Sequence, residues 1–121
     1  MPAASTEAQP CHCGSKLSWD TCCAPIIRGD RPAPTAAALM RSRYSAYVVE
    51  AESYLLASWH PQTRPSRIRF TEGQRWLGLQ VKNTAAGGVD DEAGTVEFVA
   101  RYKMDGRGHR LHEVSRFERL A

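Results

Sequence analysis

The stretch CHCGSKLSWDTCC, residues 11–23, holds all four cysteines of the chain. They form one C-x-C pair and one adjacent C-C pair, with eight residues between. A disulfide reading fits poorly, because neighbouring cysteines pair only through a strained eight-membered ring. Four free thiols would have no reason to gather within so short a span. A tetrahedral zinc site requires four such soft ligands. Cys11 and Cys13 supply one arm around a tight turn shaped by Gly14 and Ser15, and Cys22 and Cys23 supply the other. The segment has too few apolar residues for a core of its own, so metal ligation is what would fold it. Leu17 and Trp19 are expected to pack over the site. His12 stands between two ligands as a competitor, but four thiols suffice. One Zn2+ per chain is expected. With every position filled by protein it is structural, with no open place for a reacting water.

The rest of the chain constrains less. With 121 residues there is room for one domain, or for a small module and a compact domain. No apolar run approaches the ~18 residues of a membrane span. MPAASTEAQP has neither the basic nor the apolar region of a signal peptide. A cytoplasmic location is therefore expected, where thiols stay reduced. The formal charge is +3, and four thiolates with one divalent ion would bring it to about +1. That is not the footprint of a nucleic-acid binder. RPSRIR, residues 64–69, lacks interleaved aromatics and reads as a solvated loop.

Residues 1–10 read as a flexible tail and 11–33 as the zinc module with its linker, APIIRGDRPAPT being rich in proline. Residues 34–121 read as the main domain. Thr35 is a good N-cap. Leu39, Met40, Tyr44, Tyr47 and Val48 then fall on one helical stripe. Tyr54, Leu55 and Trp59 begin a shifted stripe. This predicts helices over 35–49 and 51–58, broken near Val49–Glu50, with Pro61 beyond the second. Three strands follow. The first, 75–82, should place Leu77, Leu79 and Val81 on one face. The second, 95–104, should place Val96, Phe98, Ala100, Tyr102 and Met104 on one face. The third is 110–120. DGRG, 105–108, is a hairpin turn signal, and 83–94 is an acidic hairpin loop. The order of helices, then an antiparallel meander, predicts an α+β fold.

C-x-C-G-S-x(5)-W-x-x-C-C is similar to the SEC-C motif, a zinc-binding module found at the C-terminus of the SecA preprotein translocase ATPase and as an accessory elsewhere. The usual form has a proline between the first two cysteines and a second glycine two positions after Gly14. This chain has His12 and Lys16 there. ALMRSRYSAY, YLLASWHP, VEFVARYK and HEVSRF further resemble the YchJ-like family of small bacterial proteins. In these a SEC-C motif precedes an NTF2-like domain. The resemblance implies a cone of helices packed on a curved antiparallel sheet. Members of that family continue past the equivalent of SRFER with a further strand, whereas this chain stops at Ala121. That implies a short or absent last strand, or an edge completed by a partner or a second copy.

NTF2-like cones sometimes hold a ligand. Candidate lining residues are Arg43, Tyr44, Tyr47, Trp59, His60, Arg101, Tyr102, His112, Glu113 and Arg116. Side chains alternate along a strand, so His112 and Glu113 point to opposite faces and form no dyad. His112 should share a face with Arg116. No acid stands in an apolar context in the first helices, and fold alone implies no chemistry. A binding or adaptor role is thus favoured over catalysis. The resemblance to the SecA module points to protein–protein contact, with His12, Lys16 and Trp19 on the partner face. The alternative is a small-ligand or catalytic pocket with purely structural zinc.

Overall fold

The computed structural model describes residues 9–120. The flexible tail expected for 1–10 lies mostly outside them. A 3₁₀ turn, Trp19–Thr21, leads into α1, Cys23–Arg28. Then come α2, Ala36–Val48, and α3, Glu52–Ala57. Three long strands follow: β1, Gln74–Ala86, β2, Ala93–Met104, and β3, Arg107–Glu118. They form one antiparallel sheet in the order β1-β2-β3. This is the α+β architecture expected, an N-terminal cysteine module and helices packed on a sheet. Among the described residues no helix is long and apolar enough to cross a membrane.

α2 begins where its capping residue dictates. The Thr35 hydroxyl accepts from the Ala38 N–H at 3.0 Å, satisfying one otherwise free donor. It ends at Val48, and Glu50 sits at φ +58, a turn no helix can continue through. Met40 and Tyr44 of the expected stripe are buried, and so are Ser42, Ser45 and Ala46 beside them. These small side chains let α3 and the cysteine module approach closely. Ser42 keeps its polar atom satisfied by donating to the Leu39 carbonyl at 2.8 Å and lying 2.6 Å from the Tyr54 hydroxyl.

The sheet is longer than its apolar runs. The β1–β2 connection shrinks to residues 87–92, because the ladder extends to Ala86↔Gly94. The β2–β3 turn places Asp105 at φ +53 and Gly106 at φ +77, which suits a two-residue hairpin. One expected face is wrong at a single point. The register shifts between Trp76 and Gly78, so Leu77 is the extra residue of a bulge and is half exposed. Trp76 takes the inward place instead, edge-on to Tyr44 at 5.6 Å and 5.3 Å from Tyr102. On β2, Val96, Phe98 and Ala100 face inward and are buried.

The core joins both parts of the chain. Cys11, Cys13 and Cys23 pack in one cluster with Met40, Tyr44, Leu79, Val96, Phe98 and Ala100. β3 lies at the sheet edge and is exposed along most of its length.

Candidate metal centre

A short hairpin carries the first two cysteines. The Cys11 N–H donates to the Leu17 carbonyl at 2.8 Å, and the Trp19 N–H donates to the Gln9 carbonyl at 2.7 Å. Gly14, at φ +79, turns the chain inside this hairpin, where a Cβ would come within 2.9 Å of the Leu79 carbonyl oxygen. Glycine is needed there for both its backbone and its size. The 3₁₀ turn then delivers Cys22 and Cys23 from the other side.

The four sulfurs lie within 4.8 Å of one another. Cys13 and Cys22 are 3.7 Å apart, and Cys22 and Cys23 are 3.9 Å apart. A disulfide would bring two sulfurs to ~2.05 Å. Four thiolates ~2.3 Å from a tetrahedral ion stand about 3.8 Å from one another. Both separations match a tetrahedral thiolate site, and all four sulfurs are close enough to reach one ion. Cys11, Cys13 and Cys23 are buried, and Cys22 is half-buried.

Hydrogen bonding around the sulfurs is already in place. Ser15 Oγ lies 3.1 Å from Cys22 Sγ, and Ser45 Oγ lies 3.7 Å from Cys11 Sγ. Arg41 Nη1 donates to the Cys13 carbonyl at 2.7 Å. Arg31 Nη2 donates to the carbonyls of Thr21 and Cys22 at 2.7 and 3.2 Å. Such outer contacts fix ligand orientation. The Cys13 thiol is pulled down to about 4, chiefly by its hydrogen bond with Cys23, against the opposing effect of burial. The Cys23 thiol is pushed up by that same bond and then by burial. Burial raises Cys22. Ligation of a metal would require all four thiols to give up their protons.

Sequence reasoning did not single out Ser45, Arg31 or Arg41. Ser45 could have been noticed as a polar residue on the buried side of a helix. The arginines act on backbone carbonyls and leave no motif. His12 is not gathered with the sulfurs. Its ring stands edge-on to Trp19 at 5.1 Å on the outside of the module. Trp19 packs against the core, but Leu17, expected to cover the site, is 56% exposed. The hairpin turns it outward. Lys16 is exposed, at φ +72.

The other candidate residues do not meet around one cavity. Arg43 lies between α2 and α3, donating to the Leu55 carbonyl at 3.0 Å and the Ser58 hydroxyl at 2.6 Å. Its guanidinium stacks over Trp59 at 5.0 Å, and burial lowers its pKa. Tyr47 meets Phe70 and Trp76. His60 Nε2 is 3.0 Å from Glu118 Oε2. Arg101, His112 and Arg116 share the sheet face turned away from Val96 and Phe98, where His112 Nε2 is 2.7 Å from Glu97 Oε2. Glu113 is opposite Phe98 on the other face, and exposed.

A closed four-cysteine cluster set into the core of a helix-on-sheet domain defines a SEC-C-type protein with an NTF2-like body. The family model described as "YchJ, middle NTF2-like domain" matches residues 35–121. The chain belongs to this YchJ-like family, whose curated relatives carry the name UPF0225. A UPF0225 protein of Cupriavidus metallidurans is 53% identical over 94% of this chain and 79% of its own length. One from Streptomyces coelicolor is 50% identical over 92% and 86%. Among solved structures, a SEC-C motif containing protein from Rhodopseudomonas palustris superposes with TM-score 0.80 at 33% identity, covering 91% of this chain and 88% of that one. Another, from Psychrobacter arcticus, gives TM-score 0.74 at 26% identity over 94% and 73%.

Proposed function

We propose that the chain is a binding protein stapled by one structural zinc ion, and that the outer rim of the cysteine module contacts a protein partner. The carrying observation is the direction of the side chains. All four sulfurs converge, so the metal has no protein-free position for catalysis. His12, Lys16, Leu17 and Asp20 of the same loop remain exposed. Zinc is favoured over other ions because four thiolates in a tetrahedral arrangement are its usual structural set. Iron is the competitor for such a set, and it would colour the protein. Reduced cysteines suit a cytoplasmic setting. A cone pocket built on His112 and Glu113 together lacks support, since they point to opposite faces of β3.

Two measurements test this reading. Metal analysis of purified protein should give close to one zinc per chain. Crosslinking in the native host, comparing the intact protein with His12→Ala/Lys16→Glu, should give a defined partner that the double variant loses while keeping its zinc. A zinc content far below one, or an unchanged partner set, would refute it.

A further inference from the structure

A cleft of about 370 Å³ opens where the cysteine module meets the main domain. It is bounded by His12 of the cysteine loop, by Tyr47 and Glu50 at the end of α2, and by Arg69, Phe70, Arg75 and Trp76 around the start of β1. Its volume lies within the ~300–1,000 Å³ of small-ligand sites. Three aromatic rings, Tyr47, Phe70 and Trp76, stand together in its otherwise mostly polar lining. Tyr47 stands 6.2 Å from both Phe70 and Trp76, edge-on to the first and tilted against the second. The exposed Arg69 guanidinium borders it beside Phe70, with the Glu50 carboxylate at the end of α2. Neither Arg69 nor Arg75 is among the ion pairs of the described residues. Arg75 pairs with Lys103 across the β1–β2 ladder, which places its side chain on the sheet face opposite Trp76 and at the rim of the cleft only. Three of the last carbonyls of α2 are satisfied within the chain. Those of Ser45, Ala46 and Tyr47 accept from the N–H groups of Val49, Ala51 and Glu50.

We infer that this junction cleft binds an aromatic anion, a planar apolar ring carrying one carboxylate or phosphate. The ring stacks among Tyr47, Phe70 and Trp76, while Arg69 takes the anionic group. Arginine suits this role because its planar fork pairs with two oxygens at once. The guanidinium is exposed, so the rings supply most of the contact and the charge selects the sign of the ligand. The site does not depend on the adaptor reading, because only His12 is common to both. The ring-and-anion chemistry could come from a free acid or from an aromatic side chain flanked by acids in a protein segment.

The test is an amide chemical-shift titration of the zinc-loaded, full-length chain. The probes share one ring: 1-naphthylacetate, its neutral amide and 1-naphthylmethylammonium. The peptide acetyl-Asp-Phe-Asp-amide forms the second arm. The carboxylate should shift the amides of Tyr47, Phe70 and Trp76 together with the Trp76 indole N–H. It should bind at least about fivefold more tightly than the amide, while the ammonium should be weaker still. Arg69→Gln should cost several-fold, whereas Arg75→Gln and Arg101→Gln, both on the sheet face opposite Trp76, should change little. Tighter binding of the peptide than of the free acid assigns the ligand to a protein segment, and the reverse assigns it to a small molecule. Equal binding of all three ring probes, shifts centred elsewhere, or no saturable shift by about 10 mM overturns the inference.

Discussion

Arg41 Nη1 donates to the carbonyl oxygen of Cys13 at 2.7 Å, across 28 residues of sequence. One bond thus ties the metal-ligand loop to the middle of α2. The carbonyl belongs to the most deeply buried of the four cysteines. Replacing Arg41 with Met keeps much of the stem packing but leaves that oxygen without its charged donor. The expected loss is about 1–3 kcal/mol of stability and about tenfold or more in metal affinity. Denaturant unfolding of the metal-loaded protein and competition with a chromogenic chelator would check both. Unchanged values would mean that the loop is held by its sulfurs alone.

Lys16 and Gly14 make a contrasting pair in the same hairpin. Both have positive φ, but only Gly14 is free of the side-chain penalty. Lys16→Gly should therefore stabilise the protein by up to about 1 kcal/mol, the relieved strain exceeding the extra chain entropy of glycine. Lys16→Ala should give no such gain. Gly14→Ala adds a Cβ against the Leu79 carbonyl and should destabilise by about 1–3 kcal/mol. Thermal unfolding of the three variants under saturating zinc measures all of these. A gain for Lys16→Ala equal to that for Lys16→Gly would contradict the backbone explanation.

The alkaline limb of stability should report on the tyrosines of α2 and α3. Burial raises Tyr44 to about 12, and burial also raises Tyr54. A tyrosine raised in the fold is protonated there when the unfolded chain has already ionised. Its contribution is complete below the ordinary pKa of 10.0 and is lost as pH climbs from there through about 12. Stability should accordingly fall across that window. Tyr44→Phe should start lower, because the hydroxyl loses its backbone bond to Gly78, but should decline less steeply. Absorbance at 295 nm and urea unfolding at several pH values would show it. A parallel decline in the variant would exclude Tyr44 as a source.

Much of this was legible before the structure, and the exceptions share a cause. The cysteine spacing, the Thr35 cap, the break at Glu50 and the Asp105-Gly106 turn are local signals, each set by a few neighbouring residues. Leu77 was misread because a bulge resets the alternation of β1, and nothing in a two-residue period announces one. Leu17 was misread because an apolar residue beside a metal loop can point either way. Arg41 and Ser45 acquire their meaning only when α2 lies against the module, which is a long-range contact. The cleft at Tyr47 gathers residues from three separated segments. The sequence reading named Tyr47 and His12 for different sites and left out Phe70 and Trp76 altogether.

Metal removal distinguishes a fused module from a tethered one. Were the cysteine segment only a bead on a linker, stripping its metal would leave the domain's transition in place. Here Cys11, Cys13 and Cys23 pack in the same cluster as Met40, Tyr44, Leu79 and Phe98. Losing the metal frees four mutually repelling or proton-bridged thiols inside that cluster and unpins α1 from α2. The whole domain should therefore melt at least about 10 °C lower after chelation under reducing conditions. The near-ultraviolet circular dichroism of Trp19, Tyr44 and Trp76 should weaken with it. Zinc should restore both signals. Single substitutions should rank by burial. Cys13→Ser, at the fully buried ligand, should lose most of the metal-dependent stability. Cys22→Ser, at the half-buried ligand already bonded to Ser15, should lose least. Differential scanning calorimetry of the four serine variants, with and without zinc, gives the ranking directly. A domain transition that ignores the metal would show the module to be independent of the core it touches.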